Sequence, residues 1–351
     1  MIPPAAVTAF AVILGAAAPP VPPSAPRVAL VAGEGLNEPF GVAFDADDNM
    51  YVVEMGGNRI SVLRQDGTRA VFAGTGEKGQ GGDDGPAVKA LFNAPHHLLM
   101  GPDGHLYVAD TGNGCVRRID LKTGIVTRVA GTGEKGFAGD GGPAREARFG
   151  GIYAIAFGDG VLYACDLDNR RVRAVDLKTG IVRTVAGNGE KGVPGDGAAA
   201  VSQPLVDPRA IAADSKGNLY ILERNGNALR VVDAHGLIRT VAGTGEAGFS
   251  GDGGPAITAQ LRGPKHISVD GADDLLIADA ENHVIRRYSP VDGTIRRVAG
   301  TGEKGEGGIG EPPESCPLNR PHGVVAHPRT GALYIADSEN HRVLRIDGPS
   351  R

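Results

Sequence analysis

Four of the nine histidines in this chain fall into one two-residue window that recurs along the sequence, each time just after a proline or glycine. The first residue of the window is Phe40, His96, Ile152, Arg209, Lys265 or His322, and the second is Gly41, His97, Tyr153, Ala210, His266 or Gly323. Imidazole, guanidinium, ammonium and phenol groups bring many hydrogen-bond donors and a positive potential. That chemistry suits a carboxylate, a phosphate or an acidic peptide end. His96, His97, Tyr153, Arg209, Lys265, His266 and His322 are therefore the candidate ligand site. With imidazoles in their ordinary range, anion binding is expected to weaken as pH rises through about 6 to 7. Residues that differ between copies are the informative ones, because an architectural residue recurs in each.

The windows become neighbours only if the intervening chain repeats. It does. A short β-prone phrase recurs around Tyr51, Tyr107, Tyr163, Tyr220, Leu276 and Tyr334, at spacings of 56, 56, 57, 56 and 58 residues. Such a period, built from strand-like phrases, marks a ring or solenoid of sheets. In the second copy, His97–Met100, Leu106–Ala109, Val116–Asp120 and Ile125–Ala130 read as four strands parted by turn residues. The first two are almost wholly apolar, as strands between neighbouring sheets must be. The sixth copy stops after its third strand, while Val28–Gly33 matches the missing fourth. The expected fold is thus all-β: a six-bladed β-propeller of four-stranded antiparallel blades, closed by the N-terminal strand completing the last blade. The six windows then converge at one mouth of the channel.

The segment from Pro321-His322-Gly323 through Leu333-Tyr-Ile-Ala-Asp337-Ser-Glu-Asn340-His341 resembles the NHL repeat, and the likeness recurs over roughly residues 27–347. Copies five (Asn282-His283) and six keep the Asn-His pair; others carry Asn58-Arg59, Asn113-Gly114, Asn169-Arg170 and Asn227-Ala228. The resemblance implies the propeller fold and roles ranging from protein or RNA binding to lyase chemistry. Pro95-His96 and Pro321-His322 also resemble the segments by which the peptidyl-hydroxyglycine amidating lyases hold zinc through three histidines on alternate blades. That likeness implies, as the alternative function, a metal-dependent lyase or hydrolase. The third alternate blade here carries Arg209, which is no ligand.

Other motifs have architectural readings. Gly-x-Gly-x-x-Gly occurs five times (Gly74, Gly131, Gly187, Gly243 and Gly300 begin the copies), but without the βαβ unit that makes it a dinucleotide site. The same loops carry Asp83-Asp84, Asp140, Asp196 and Asp252. Calcium would need six to eight oxygens, so loop-ordering Asx-turns are favoured over a cation site. The acids ending each second strand, Glu54, Asp110, Asp166, Glu223, Asp279 and Asp337, are expected to receive turn N–H groups or an arginine such as Arg59 or Arg342.

Composition narrows the rest. A net charge of -5 spread along the chain gives no nucleic-acid footprint. Cys115, Cys165 and Cys316 are odd in number and scattered, which argues for isolated thiols. Residues 1–26, an apolar run from Ala5 to Ala18 followed by a proline-rich spacer, suit a signal peptide too short to span a membrane, although no Lys or Arg precedes the run. Residues 27–351 then form a single propeller. The expectation is an exported, monomeric binding or protein-interaction module that does not span a membrane. Its partner is a small anionic ligand or a protein, with no metal or cofactor assigned.

Overall fold

Alternating short apolar runs and Gly/Asp turns fold as read. The computed structural model describes residues 25–347; the expected leader lies outside the described residues except for the end of its spacer. Six antiparallel sheets form, each a meander of consecutive strands from the axis outward, save that the last takes its outer strand from the N-terminus. The innermost strands are Pro39–Phe44, His97–Met100, Ile152–Gly158, Pro208–Ala213, His266–Val269 and Gly323–Ala326. Second strands such as Leu106–Asp110 and Leu275–Asp279 are buried along their whole length, packed between adjacent blades. Val28–Ala32 pairs with Arg342–Ile346, in register Val28↔Ile346 and Leu30↔Leu344, so the N-terminal strand closes the ring. No helix among the described residues is long and apolar enough to cross a membrane.

Three blades exceed the expected four strands. Gly85–Pro86, Ala198–Ala199 and Gly254–Pro255 each add a two-residue strand outside the fourth strand of the following blade. The glycine-rich connection thereby covers an edge that would otherwise present unpaired backbone groups. Its aspartates do more than form turns. Asp83, Asp140 and Asp252 accept from the buried guanidiniums of Arg117, Arg173 and Arg286, at 2.9, 3.1 and 3.0 Å from Nε. Arg117 also donates to the Leu91 and Gly81 carbonyls at 2.7 and 2.6 Å, stitching the loop to the blade.

The acid at the end of each second strand is fully buried. Asp110 accepts from Asn93 N–H at 2.9 Å and from Asn113 at 2.8 Å, while Glu54 accepts from Arg59. The Asn-His pairs are architectural as well. His283 and His341 sit at φ 54° and 51°, and their Nδ1 atoms accept the N–H of Arg320 and Glu38 in the next blade. Asn58 and Asn227 make the same bridge through Oδ1 to Ala94 and Gly263. All three cysteines are buried and free.

Candidate functional site

In a regular strand, consecutive side chains point to opposite faces, so two adjacent residues would not both serve one site. A bulge at the start of the innermost strands breaks that rule. The register slips between Pro39 and Gly41, Ile152 and Ala154, and Pro208 and Ala210, leaving Phe40, Tyr153 and Arg209 as the extra residues. In the other blades, His96, Lys265 and His322 donate their backbone N–H to Ala109, Ala278 and Ala336, the residues already paired with His97, His266 and Gly323. Two residues oppose one in every blade, and bulges of this kind re-aim side chains.

The pairing also corrects the alignment of blade three. Ala154, opposite Cys165, is the counterpart of His97, opposite Ala109, so Tyr153 belongs with His96 and Ile152 with the preceding prolines. The cause is hairpin length. Four residues separate the paired Phe157 and Leu162, five separate Met100 and Leu106, and six separate Ala326 and Leu333. The true outer ring is therefore Phe40, His96, Tyr153, Arg209, Lys265 and His322. The inner ring is Gly41, His97, Ala154, Ala210, His266 and Gly323.

From blade six around to blade four the outer ring is a chain of contacts. His322 stacks on Phe40 with centroids 3.9 Å apart and planes 11° apart, and His96 meets the Phe40 edge at 5.0 Å. Tyr153 packs on His96 at 4.7 Å, and the Arg209 guanidinium lies 4.8 Å from the Tyr153 ring. The Lys265 ammonium meets Glu281 at 3.2 Å, and Arg320 shares that carboxylate at 2.8 Å. Arg224, beside Arg209, is held by Asp207 at 2.9 Å. Arg209 is only 4% exposed, and among the described residues it has no hydrogen-bond or ion-pair partner. His96 and His322 donate Nδ1–H to the carbonyls of Ala94 and Arg320 at 2.8 and 2.9 Å, which leaves both Nε2 atoms as acceptors.

His97 and His266 do not join this mouth. They reach across the axis from opposite blades, Nε2 to Nε2 at 3.0 Å, and close the channel one layer down. The seven candidates thus divide into five that line the mouth and two that floor it. Phe40, Glu281, Arg224 and Arg320 were missed. Phe40 stands in the same window as His96, and Arg224 and Glu281 follow the second-strand acids Glu223 and Asp279, which end at the same face.

Electrostatics overturn the expected pH response. Burial, then the Arg209 charge, pulls His96 down to about 3 and His97 to about 4. Burial first, and then neighbouring charges and imidazoles, holds His266 and His322 well below the imidazole range. All four are neutral at physiological pH and do not titrate between pH 6 and 7. The group that does titrate nearby is Lys265, which burial and then Arg320 bring down to about 8. Arg209 is lowered to about 10 by burial and Arg224 and remains charged.

A three-histidine zinc site does not fit these residues. Blades two, four and six present His96, Arg209 and His322, and a buried guanidinium at the third position repels a cation. The Phe40 ring packs against both histidines. No group of three or more potential ligand side chains gathers among the described residues.

Comparison with known proteins follows the repeat. A model described as the NHL repeat matches residues 92–119 and 318–346, and one described as the teneurin NHL domain matches residues 178–247. NHL repeat-containing protein 2 of Gallus gallus is 26% identical over 332 residues, covering 86% of this chain and 45% of the relative. The chain thus spans less than half the length of that relative. Among solved structures, an auxiliary nutrient binding protein from Bacteroides thetaiotaomicron superposes with a TM-score of 0.66 at 15% identity, covering 93% of this chain and 77% of that one. A streptogramin B lyase superposes with a TM-score of 0.54 at 12% identity, covering 92% and 98%. At such identities these structures share the fold alone.

Proposed function

This chain is an NHL-repeat six-bladed propeller, and from that premise we propose that it is a binding module whose channel mouth holds an anionic group. The observation that carries the reading is Arg209. Its guanidinium stands at the mouth with no carboxylate bonded to it, so an incoming carboxylate or phosphate oxygen gains charge-assisted hydrogen bonds there. Lys265 adds a second cation, the Tyr153 hydroxyl a further donor, and the Nε2 atoms of His96 and His322 accept from donors on the ligand. The arrangement suits a carboxylate flanked by N–H or O–H groups, such as a peptide end or a hydroxy acid. That a protein of the same fold is described as an auxiliary nutrient binding protein supports ligand holding as a use of the architecture. We further take the protein to act as an exported monomer, the apolar run in residues 1–26 serving as its leader.

Calorimetric titration with short peptides tests the site. Peptides with a free C-terminal carboxylate are expected to bind and their C-terminal amides to bind at least about tenfold more weakly, the scale of one charged hydrogen bond. Equal affinity for both, or binding untouched by Arg209→Met, overturns the reading.

A further inference from the structure

Below the His97–His266 pair the channel opens toward the opposite face as a separate cavity of about 310 Å³. Its walls come from the innermost strands of all six blades and are apolar, with Phe44, Leu99, Phe157, Ile211 and Val269 among them. The Ser268 hydroxyl at its side already donates to the Val324 carbonyl at 2.8 Å. Two imidazoles therefore bring the chemistry to an otherwise greasy chamber of the size that small ligands occupy.

Those imidazoles have an unresolved hydrogen-bond demand. Nδ1 of His97 accepts the Ile155 N–H at 3.2 Å, and Nδ1 of His266 accepts the Val324 N–H at 3.3 Å. A neutral ring that accepts at Nδ1 carries its proton on Nε2. Both Nε2–H groups then point at each other across 3.0 Å. Moving either proton to Nδ1 supplies an acceptor at Nε2 but sets the new N–H against a backbone N–H. In every neutral combination one N–H faces another, and protonating either ring adds a further donor. His266 is buried and His97 partly so, and a donor held from water without an acceptor is expensive, so the pair calls for an oxygen from outside itself.

We propose that this far end of the channel binds a small uncharged molecule with an apolar body and a carbonyl oxygen, the oxygen parting the two rings and accepting from Nε2–H of both His97 and His266. The walls supply contact for the apolar body, and they offer nothing to offset the desolvation of a charged ligand. The chamber is distinct from the mouth, which lies on the other side of the histidine pair and selects for charge.

Nuclear magnetic resonance of the full chain with ¹⁵N-labelled histidine rings tests this, using cyclohexanone as the probe and cyclohexane and cyclohexanecarboxylate as comparators. The expected result is that cyclohexanone shifts the Nε2–H signals of both rings and the methyl signals of Ile211. It should bind about tenfold more tightly than cyclohexane, the worth of a hydrogen bond at the strong end of the neutral range. Ala212→Phe, which fills the chamber, should abolish the shifts and leave anion binding at the mouth unchanged. If that variant does not fold, Ala156→Leu takes its place with the same readout. Ring signals unmoved by cyclohexanone, showing that the pair is served by water alone, overturn the proposal. So does equal affinity for cyclohexane, tighter binding of the carboxylate, or a response that survives filling of the chamber.

Discussion

At the level of single residues, the mouth is governed by what burial does to charge. His96 and His322 are kept neutral, so they act as acceptors and packing surfaces, and the positive potential comes from Arg209 and Lys265. Anion affinity should therefore hold steady between pH 5.5 and 7 and fall as pH rises through about 8, where Lys265 loses its proton. Lys265→Met should be weaker at pH 7 and lack that fall; titrations across the range read both. Stability should move the other way. Because the folded state lowers the Lys265 pKa below its unfolded value, it binds fewer protons between about 8 and the ordinary lysine range, so this residue's penalty shrinks as pH rises there. Urea melts of wild type and Lys265→Met at pH 7 and 9.5 should converge as that penalty disappears. Metal analysis of unchelated protein should find no stoichiometric zinc, since His96 and His322 lack a third donor.

At the level of strands and loops, two devices decide what reaches the axis. One is the bulge, which turns consecutive residues such as His96 and His97 toward the channel at two depths. The other is the pairing register, which holds one residue of each blade in the bulge although the hairpins differ in length. Lengthening the blade-three turn by one residue after Asp159 leaves the Ile152 pairing intact if the insertion stays in the turn, so Tyr153 should keep its place and anion affinity should hold. The glycine-rich loops depend on their arginines instead. Arg117 is 1% exposed and ties Asp83, Gly81 and Leu91 together. Arg117→Ala leaves the Gly81 and Leu91 carbonyls without that donor and Asp83 with Arg128 alone, and should cost about 3 kcal/mol in chemical denaturation.

For the molecule as a whole, closure by Val28–Ala32 is the stabilising event that no single blade supplies. Removing the chain through Gly33 exposes the Arg342–Ile346 strand as an open edge. Such a truncation should melt at lower temperature and elute as larger species in size-exclusion chromatography. An unchanged melt would mean that the remaining blades close without it. Mass spectrometry of the mature protein should show loss of 18 to 26 N-terminal residues if the leader reading holds.

The sequence by itself determined the six-fold repeat, the closing strand and the window from which the site is drawn, because these rest on local periodicity that survives in every copy. The roles of the second-strand acids were legible for the same reason: each must satisfy the same turn. Placement of Tyr153 was not, since equal spacing from a landmark cannot reveal that one hairpin is a residue shorter. Nor was the separation of His97 and His266 from His96 and His322. Adjacent residues differ by one position along the chain, and only the bulge and the convergence of six strands turn that step into two layers of a channel. The charge state of the histidines belonged wholly to the tertiary structure, because desolvation and the Arg209 field depend on neighbours brought together from other blades.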